Sequence, residues 1–159
     1  MGLRHPDVPV FPEFWAFPGG GVSKDDVEYA KRAHGPNGDT QSMESLVTLF
    51  REIVEETGFS KSESGEWVVV PPSLRKKLME GAGAWIEALD NGIASMDASE
   101  ASMVTERTTP PLAPVRYTNR FYHIHLGENS PEPEQPPGRS EFTEFKWWRP
   151  EEILEQWEQ

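Results

Sequence analysis

Three glutamates and one arginine lie in the short segment 51–58, which reads Arg-Glu-Ile-Val-Glu-Glu-Thr-Gly. On a helix, Glu52, Glu55 and Glu56 share one face. Carboxylates this close repel one another, and Mg²⁺ or Mn²⁺ relieves the repulsion while taking the oxygen ligands that it prefers. Arg51 is spaced to hold Glu55. The pattern indicates either a metal site or a solvated acidic helix face, and spacing alone favours the solvated face.

The same helix has an apolar side. Leu46, Leu49, Phe50 and Ile53 recur at helical spacing roughly opposite the carboxylates. The sequence therefore predicts a helix with an apolar back and an acidic front.

A glycine-rich turn upstream changes the interpretation. Residues 17–22 read Phe-Pro-Gly-Gly-Gly-Val, and together with residues 51–59 they resemble the Nudix box of the Nudix hydrolases. The second half of the box matches at every specified position. In the first half, counting from Gly20 puts Asp26 where the box has its first glutamate, whereas counting back from Arg51 puts Met43 there. We therefore expect an insertion of about 17 residues between the two halves, which a surface connection tolerates.

The insertion spans about residues 23–42. Ser23 and Asp26 have the spacing of a capping box, which predicts a helix from Lys24 to His34, and Ser42 is the expected N-cap of the box helix. We expect the insertion either to form one wall of a substrate cleft or to be a surface excursion without a role in selectivity.

Composition limits the partners. The chain of 159 residues is 36% hydrophobic, which suits a single domain over 1–159. A formal net charge of −12 argues against binding nucleic acid or an anionic membrane. Cysteine is absent, so a disulfide framework and Cys-ligated zinc are excluded. No apolar run reaches the roughly 20 residues of a membrane span. We expect a soluble, cytoplasmic protein. The sequence does not decide between a monomer and a homodimer.

The remaining pattern predicts an α/β fold, an α/β/α sandwich around a mixed sheet. Besides the box helix, we expect strands at 14–17, 66–70, 115–126 and 142–148, and helices at 24–34, 73–91, 97–107 and 151–157. The strand at 115–126 is expected to be the longest and central. Nudix domains have an apolar strand roughly 20 residues before the Pro-Gly-Gly turn, and this chain starts too late to supply it. The first strand is therefore expected to be absent.

The second half of the chain narrows the resemblance. It contains Thr109-Pro110, an Arg-Tyr-Thr-Asn-Arg-Phe-Tyr strand at 116–122 and a closing Glu-Phe-x-Trp-Trp-x-Pro-Glu-Glu at 144–152. With the insertion, these features resemble the Nudix subfamily that includes the peroxisomal coenzyme A diphosphatases. The resemblance implies a metal-dependent hydrolase that cleaves the diphosphate of coenzyme A, acyl-CoA or a related nucleoside diphosphate derivative. A Nudix-fold protein that binds such a ligand without hydrolysing it is the alternative.

The resemblance also implies residue roles. Glu52, Glu55 and Glu56 would hold Mg²⁺ or Mn²⁺, Arg51 would orient a carboxylate, and the turn at Gly19 and Gly20 would let the backbone approach the phosphates. The catalytic set is then Arg51, Glu52, Glu55 and a base outside the box, for which Glu141 is preferred over Glu144.

Several further residues have two explanations. Arg116 and Arg120 lie on one face of the expected strand and could bind substrate phosphate, or each could pair with an acid of this chain. His123 and His125 share a face but lack a third ligand, so a zinc site is not predicted. Trp15 or Trp85 could stack an adenine ring, although packing is the simpler role for the tryptophans.

Overall fold

The structure is a computed structural model that describes residues 1–34, 40–62, 64–78, 80–112, 116–128, 130–135 and 140–157. The helices are α1 (Lys24–His34), α2 (Thr40–Thr57), α3 (Pro72–Leu78), α4 (Ala82–Asp90) and α5 (Pro150–Trp157). The strands are β1 (Gly2–Arg4), β2 (Trp15–Ala16), β3 (Phe59–Lys61), β4 (Trp67–Val69), β5 (Ala101–Thr108), β6 (Thr118–Ile124) and β7 (Phe142–Phe145).

The core lies between the box helix α2 and the elements that follow it. Val47, Phe50 and Val54 are buried on one side of α2. They form one cluster with Phe59 and Trp67 of the β3–β4 hairpin and with apolar residues of α3 and α4. Burial of this stripe explains why the segment is helical, since an amphipathic helix gains most of its stability from tertiary packing. The predicted box helix is confirmed, and it begins at Thr40, ahead of the expected N-cap Ser42.

The strands form three antiparallel groups within the described residues. They are ordered β2-β1-β7, β3-β4 and β5-β6. The predicted α/β class is therefore confirmed, but every described pairing is antiparallel, where the sequence predicted one mixed sheet. The extended N-terminal segment also contains a strand that was expected to be absent. β1 pairs with both β2 and β7, and its three residues are too few for a sequence pattern to reveal.

The prediction of a helix at 97–107 is wrong. Only Ala98–Glu100 form a short 3-10 turn, and Ala101–Thr108 form β5, which pairs with β6 from end to end. Several residues of this strand, such as Val104 and Thr105, are β-branched, and the cross-strand pairing outweighs the local helical preference.

The strand predicted at 115–126 is shorter and less central than expected. β6 begins at Thr118, so Arg116 precedes it, and β5 is its hydrogen-bonded neighbour in the described residues. The helix predicted at 73–91 is divided into α3 and α4, with Gly81 before α4 in a positive-φ conformation (149°) that favours glycine. β7 ends at Phe145, before the predicted end at Trp148, whereas α5 ends at Trp157 as predicted.

The insertion helix α1 has the predicted bounds, Lys24–His34, and packs against α2 and α4. Asp26 and Ala30 are completely buried there, so this helix is part of the core. Loop residues 35–39 of the insertion lie outside the described residues. None of the described helices is long and apolar enough to cross a membrane.

Candidate active site

Arg51 is the centre of a buried ion network on α2. Its side chain is 7% exposed and pairs with the fully buried Asp26 of α1, with Nη2 at 3.1 Å from Oδ2. Its Nη1 lies 2.7 Å from Glu52 Oε1 and 3.2 Å from Glu55 Oε2. Nη2 also donates to the carbonyl of Gly21 at 3.1 Å. The arginine therefore joins the glycine turn, the insertion helix and two of the three predicted metal ligands.

Asp26 links a local helix cap to this long-range pair. Ser23 N donates to Asp26 Oδ2 at 2.9 Å and Asp26 N donates to Ser23 Oγ at 3.1 Å, so the predicted capping box is confirmed. Thr48 of α2 donates to the same carboxylate at 3.0 Å. Burial acts to raise the pKa of Asp26, but the hydrogen bonds from Arg51 and Ser23 outweigh it and hold the pKa below its ordinary value.

The three glutamates are held in different ways. Arg51 contacts Glu52 and Glu55, whereas Glu56 Oε2 accepts a hydrogen bond from Gly19 N at 2.7 Å. Burial raises the pKa of all three carboxyls, with Arg51 opposing the shift at Glu52 and Glu55. For Glu56, burial and then the charge of Glu52 raise the pKa to about 9. The protein therefore supplies too little positive charge to balance the carboxylates of Glu52, Glu55 and Glu56.

Gly20 is the point of closest approach between the turn and the helix. A Cβ atom at this position would lie 2.5 Å from Cδ of Glu52, closer than real Cβ contacts. A side chain at position 20 would therefore displace the Glu52 carboxylate from its place against the turn. The predicted proximity of Gly19 and Gly20 to the acidic front is present in the structure.

A second buried arginine, Arg75 of α3, holds the C-terminal end of α2. It is 2% exposed, and its Nε and Nη2 donate to the carbonyl of Glu55 at 3.3 and 3.1 Å. Its Nη1 donates to the carbonyl of Glu134 at 2.6 Å, and Glu134 N donates to Thr57 O at 3.0 Å. Burial lowers the pKa of Arg75 to about 10, with the charges of Glu134 and Glu56 opposing the shift. Arg75 thus joins the box helix to the segment 130–135.

The candidate base Glu141 lies close enough to Glu56 for its charge to help raise the pKa of that residue. Its carboxylate is exposed and lies 3.5 Å from Arg4 Nη2. Glu144 is opposite Leu3 in the β1–β7 pair. Of the two candidate bases, Glu141, the preferred one, is therefore the residue whose charge acts on Glu56 of the box.

The two strand arginines differ. Arg120 Nε donates to Glu106 Oε2 at 2.8 Å, and Nη1 donates to Gln41 O at 3.1 Å, so it ties β6 to the start of α2. This is the acid pairing that the sequence left open. Arg116 is exposed in the segment before β6. Phosphate binding by either residue stays a prediction.

The described His, Asp and Glu side chains do not form a group of three or more that converges on one metal position. The chemistry of the acidic front nevertheless fits a hard divalent cation, because Glu52, Glu55 and Glu56 supply carboxylate oxygens whose pKa values are raised in the protein alone. Arg51 and Gly19 occupy one oxygen of each carboxylate. No protein partner is described for the second oxygens, and these would be the atoms that hold a metal ion.

Sequence reasoning missed three contributors to this site. Asp26 had a signal, because counting from Gly20 falls on it, and the structure brings it to Arg51 across 25 positions. Thr48 and Arg75 had none, since a hydroxyl on a helix and a lone basic residue are common. Gly58 makes room for Arg75: a Cβ there would lie 3.1 Å from Arg75 Nη1.

No protein-family model matches the sequence, and no curated protein is significantly similar to it. Among solved structures, the crystal structure of a NUDIX hydrolase from Alicyclobacillus acidocaldarius is similar, with a TM-score of 0.73 and 26% sequence identity. The match covers 90% of this chain and 67% of that chain. This likeness supports the resemblance to the Nudix hydrolases that the box residues on α2 indicate.

Proposed function

We propose that this protein is a divalent-metal-dependent hydrolase that cleaves the diphosphate of a nucleoside diphosphate-linked compound. The observation that carries the proposal is the set of Glu52, Glu55 and Glu56 on a helix bound to the glycine turn, in a chain similar to a solved NUDIX hydrolase. Mg²⁺ or Mn²⁺ bound there would neutralise the phosphate charge and activate water.

In this proposal the protein residues have separate tasks. Arg51 holds Glu52 and Glu55 in place, and Asp26 fixes Arg51 in turn. Gly20 keeps the turn against Glu52. Glu141, exposed and close to the acidic front, is the candidate base that accepts a proton from the attacking water.

For the substrate, we propose coenzyme A or acyl-CoA, on the resemblance of residues 109–122 and 144–152 to the coenzyme A diphosphatase subfamily. ADP-ribose and dinucleotides are the competing substrates, because they share the diphosphate that the site would recognise.

The second candidate function is binding without hydrolysis. The observation that favours it is that the described carboxylates are turned to Arg51 and Gly19 and do not converge on a single point. Substrate binding with unchanged substrate in the presence of metal would identify this function.

The test is product formation from coenzyme A, ADP-ribose and a dinucleotide, each incubated with Mg²⁺ or Mn²⁺ and separated by chromatography. We expect two phosphate monoester products from the preferred substrate, and no products when a chelator is present. The folded Glu52→Gln variant is the control for contaminating activity. Intact substrates with every metal would overturn the proposal.

A further inference from the structure

A cavity of about 410 Å³ opens beyond the end of β6. Ile124, Leu126 and Trp147 give it apolar walls, and Glu128 and Glu132 line it with carboxylates. Its volume lies in the range of small-molecule sites, which runs from about 300 to 1,000 Å³. It is separate from the Arg51 network, whose residues do not line it.

Trp147 presents a fixed aromatic surface in this cavity. Its ring is stacked on Phe59, with centroids 6.3 Å apart and planes 10° from parallel. Its Nε1 donates to Glu132 Oε2 at 2.8 Å. The residue is nevertheless 52% exposed. An exposed indole held on one face and at its nitrogen offers a preorganised surface for another planar ring.

The cavity is connected to the box helix through Phe59 and Glu134. Phe59 is the apolar residue that ends the box motif, directly after the C-terminal end of α2. Glu134, two positions beyond Glu132, donates from its amide to Thr57 O at 3.0 Å. Thr57 follows Glu56 in sequence, so the backbone that carries the acidic front also anchors the cavity wall.

The carboxylates that line the cavity determine which chemical group of a ligand could bind there. Glu128 and Glu132 would repel a phosphate group. Both carboxylates accept hydrogen bonds and donate none. Glu132 Oε1 has no hydrogen-bond partner among the residues that the structure describes. A planar heteroaromatic ring with an exocyclic amine, the chemistry of adenine, complements these acceptors and the Trp147 ring in a cavity that His125 and Ser130 also line.

We propose that this cavity binds the amine-bearing base of a nucleotide substrate, with the ring stacked on Trp147 and the amine donating to Glu132. The proposal rests on the proposed function, which supplies the nucleoside diphosphate. Trp147 takes the role of stacking on the base that the sequence analysis assigned to Trp15 or Trp85. Trp85 is 1% exposed in the core, and Trp15 packs edge-on against Trp148.

The test separates base binding from hydrolysis by using nucleosides, which carry no phosphate. Adenosine and inosine are titrated into the protein in chelator-treated buffer and followed by NMR of the indole N–H signals. Inosine matches adenosine in size but has a carbonyl in place of the amine. We expect adenosine to bind about 5-fold more tightly than inosine, the size of one hydrogen bond.

The variants assign the contacts. Trp147→Leu should weaken adenosine binding by about 10-fold, because it removes the stacking surface, whereas Trp147→Phe should retain most of it. Glu132→Gln should reduce the preference for adenosine over inosine. Tyr117→Leu is the matched control, since it removes an exposed aromatic ring that does not line the cavity.

Equal binding of adenosine and inosine, unchanged affinity in folded Trp147→Leu, or no nucleoside binding would overturn the inference. If Trp147→Leu does not fold, Glu132→Gln and the inosine comparison decide. If the proposed function is wrong but this inference is right, the result is different. No diphosphate is then cleaved, while adenosine binding still depends on Trp147.

Discussion

The surroundings of Arg51 and Arg75 show two ways of burying an arginine against one helix. Arg51 is 6% exposed and pairs with carboxylates, whereas Arg75 is 2% exposed and donates to the main-chain carbonyls of Glu55 and Glu134. The pKa of Arg51 is raised because its ion pairs outweigh burial, and the pKa of Arg75 is lowered to about 10 by burial.

The different partners of Arg51 and Arg75 indicate that the two arginines have different roles. The Arg51 region gathers excess negative charge, which is suited to binding a cation. The Arg75 region places a positive charge at the negative end of the helix dipole and fixes the segment that leads to the Trp147 cavity. Removing a carboxylate from the acidic front should affect chemistry most, whereas loss of a buried ion pair or hydrogen bond at either arginine should affect stability.

The largest expected effect follows from removing a charge on the acidic front. Glu52→Gln keeps the shape of the side chain but should lower turnover by about 100-fold or more, because it removes a proposed metal ligand. Steady-state rates with saturating Mn²⁺ measure the effect. Glu44→Gln, an acid earlier on the same helix, is the control and should change the rate little. A Glu52→Gln enzyme as fast as the wild type would place the metal elsewhere.

Breaking the Arg51–Asp26 pair should give the largest loss of stability. Asp26→Asn leaves a buried guanidinium with less compensation, and we expect about 3 kcal/mol lower free energy of unfolding, since Glu52 and Glu55 still contact Arg51. Urea denaturation measures it. The exposed neighbour Asp25→Asn should change the free energy of unfolding by less than about 0.5 kcal/mol. Equal effects of the two substitutions would show that the pair contributes little.

Arg75→Met should cost less than Asp26→Asn, about 2 kcal/mol, because the charge leaves together with its donors and only carbonyls lose their partners. Hydrogen exchange at the amides of residues 130–135 should accelerate in parallel, since Arg75 holds this segment. Lys76→Met, exposed in the same helix, is the control. If unfolding and exchange are both unchanged, Arg75 is not the link between α2 and this segment.

The raised pKa of Glu56 predicts a pH effect in metal-free buffer. The native state keeps a proton on Glu56 up to about pH 9, whereas the unfolded chain releases it near the ordinary glutamate pKa of 4.5. The stability contribution is therefore complete below about pH 4.5 and is lost as pH rises towards 9. Glu56→Gln lacks this loss, so it should gain stability over the wild type by about 1 kcal/mol per pH unit in thermal unfolding between these limits. Parallel pH curves for the two proteins would contradict the raised pKa.

Local patterns predicted local structure well. The Ser23–Asp26 cap and the helix at 24–34 were readable because each depends on neighbours within one or two turns. The helix expected at 97–107 failed because β5 forms through cross-strand partners in β6, and a single-strand pattern does not show the partner.

The candidate site divides in the same way. The carboxylates of α2 follow from helical spacing, but the pairing of Asp26 with Arg51 needed the packing of α1 on α2. The role of Arg75 could not be predicted from the sequence, because its partners are main-chain carbonyls, which every residue has. The Trp147 cavity depends on ring stacking with Phe59, which is distant in sequence.

The proposed function requires that the acidic front of α2 binds the metal ion. The most direct measurement is a Mn²⁺ titration of wild type and Glu56→Gln, followed by the EPR signal of free Mn²⁺ with circular dichroism as the folding check. We predict that the wild type depletes free Mn²⁺ and that Glu56→Gln binds at least about 10-fold more weakly while remaining folded. The same Mn²⁺ affinity in both proteins would show that the acidic front does not bind the metal through Glu56.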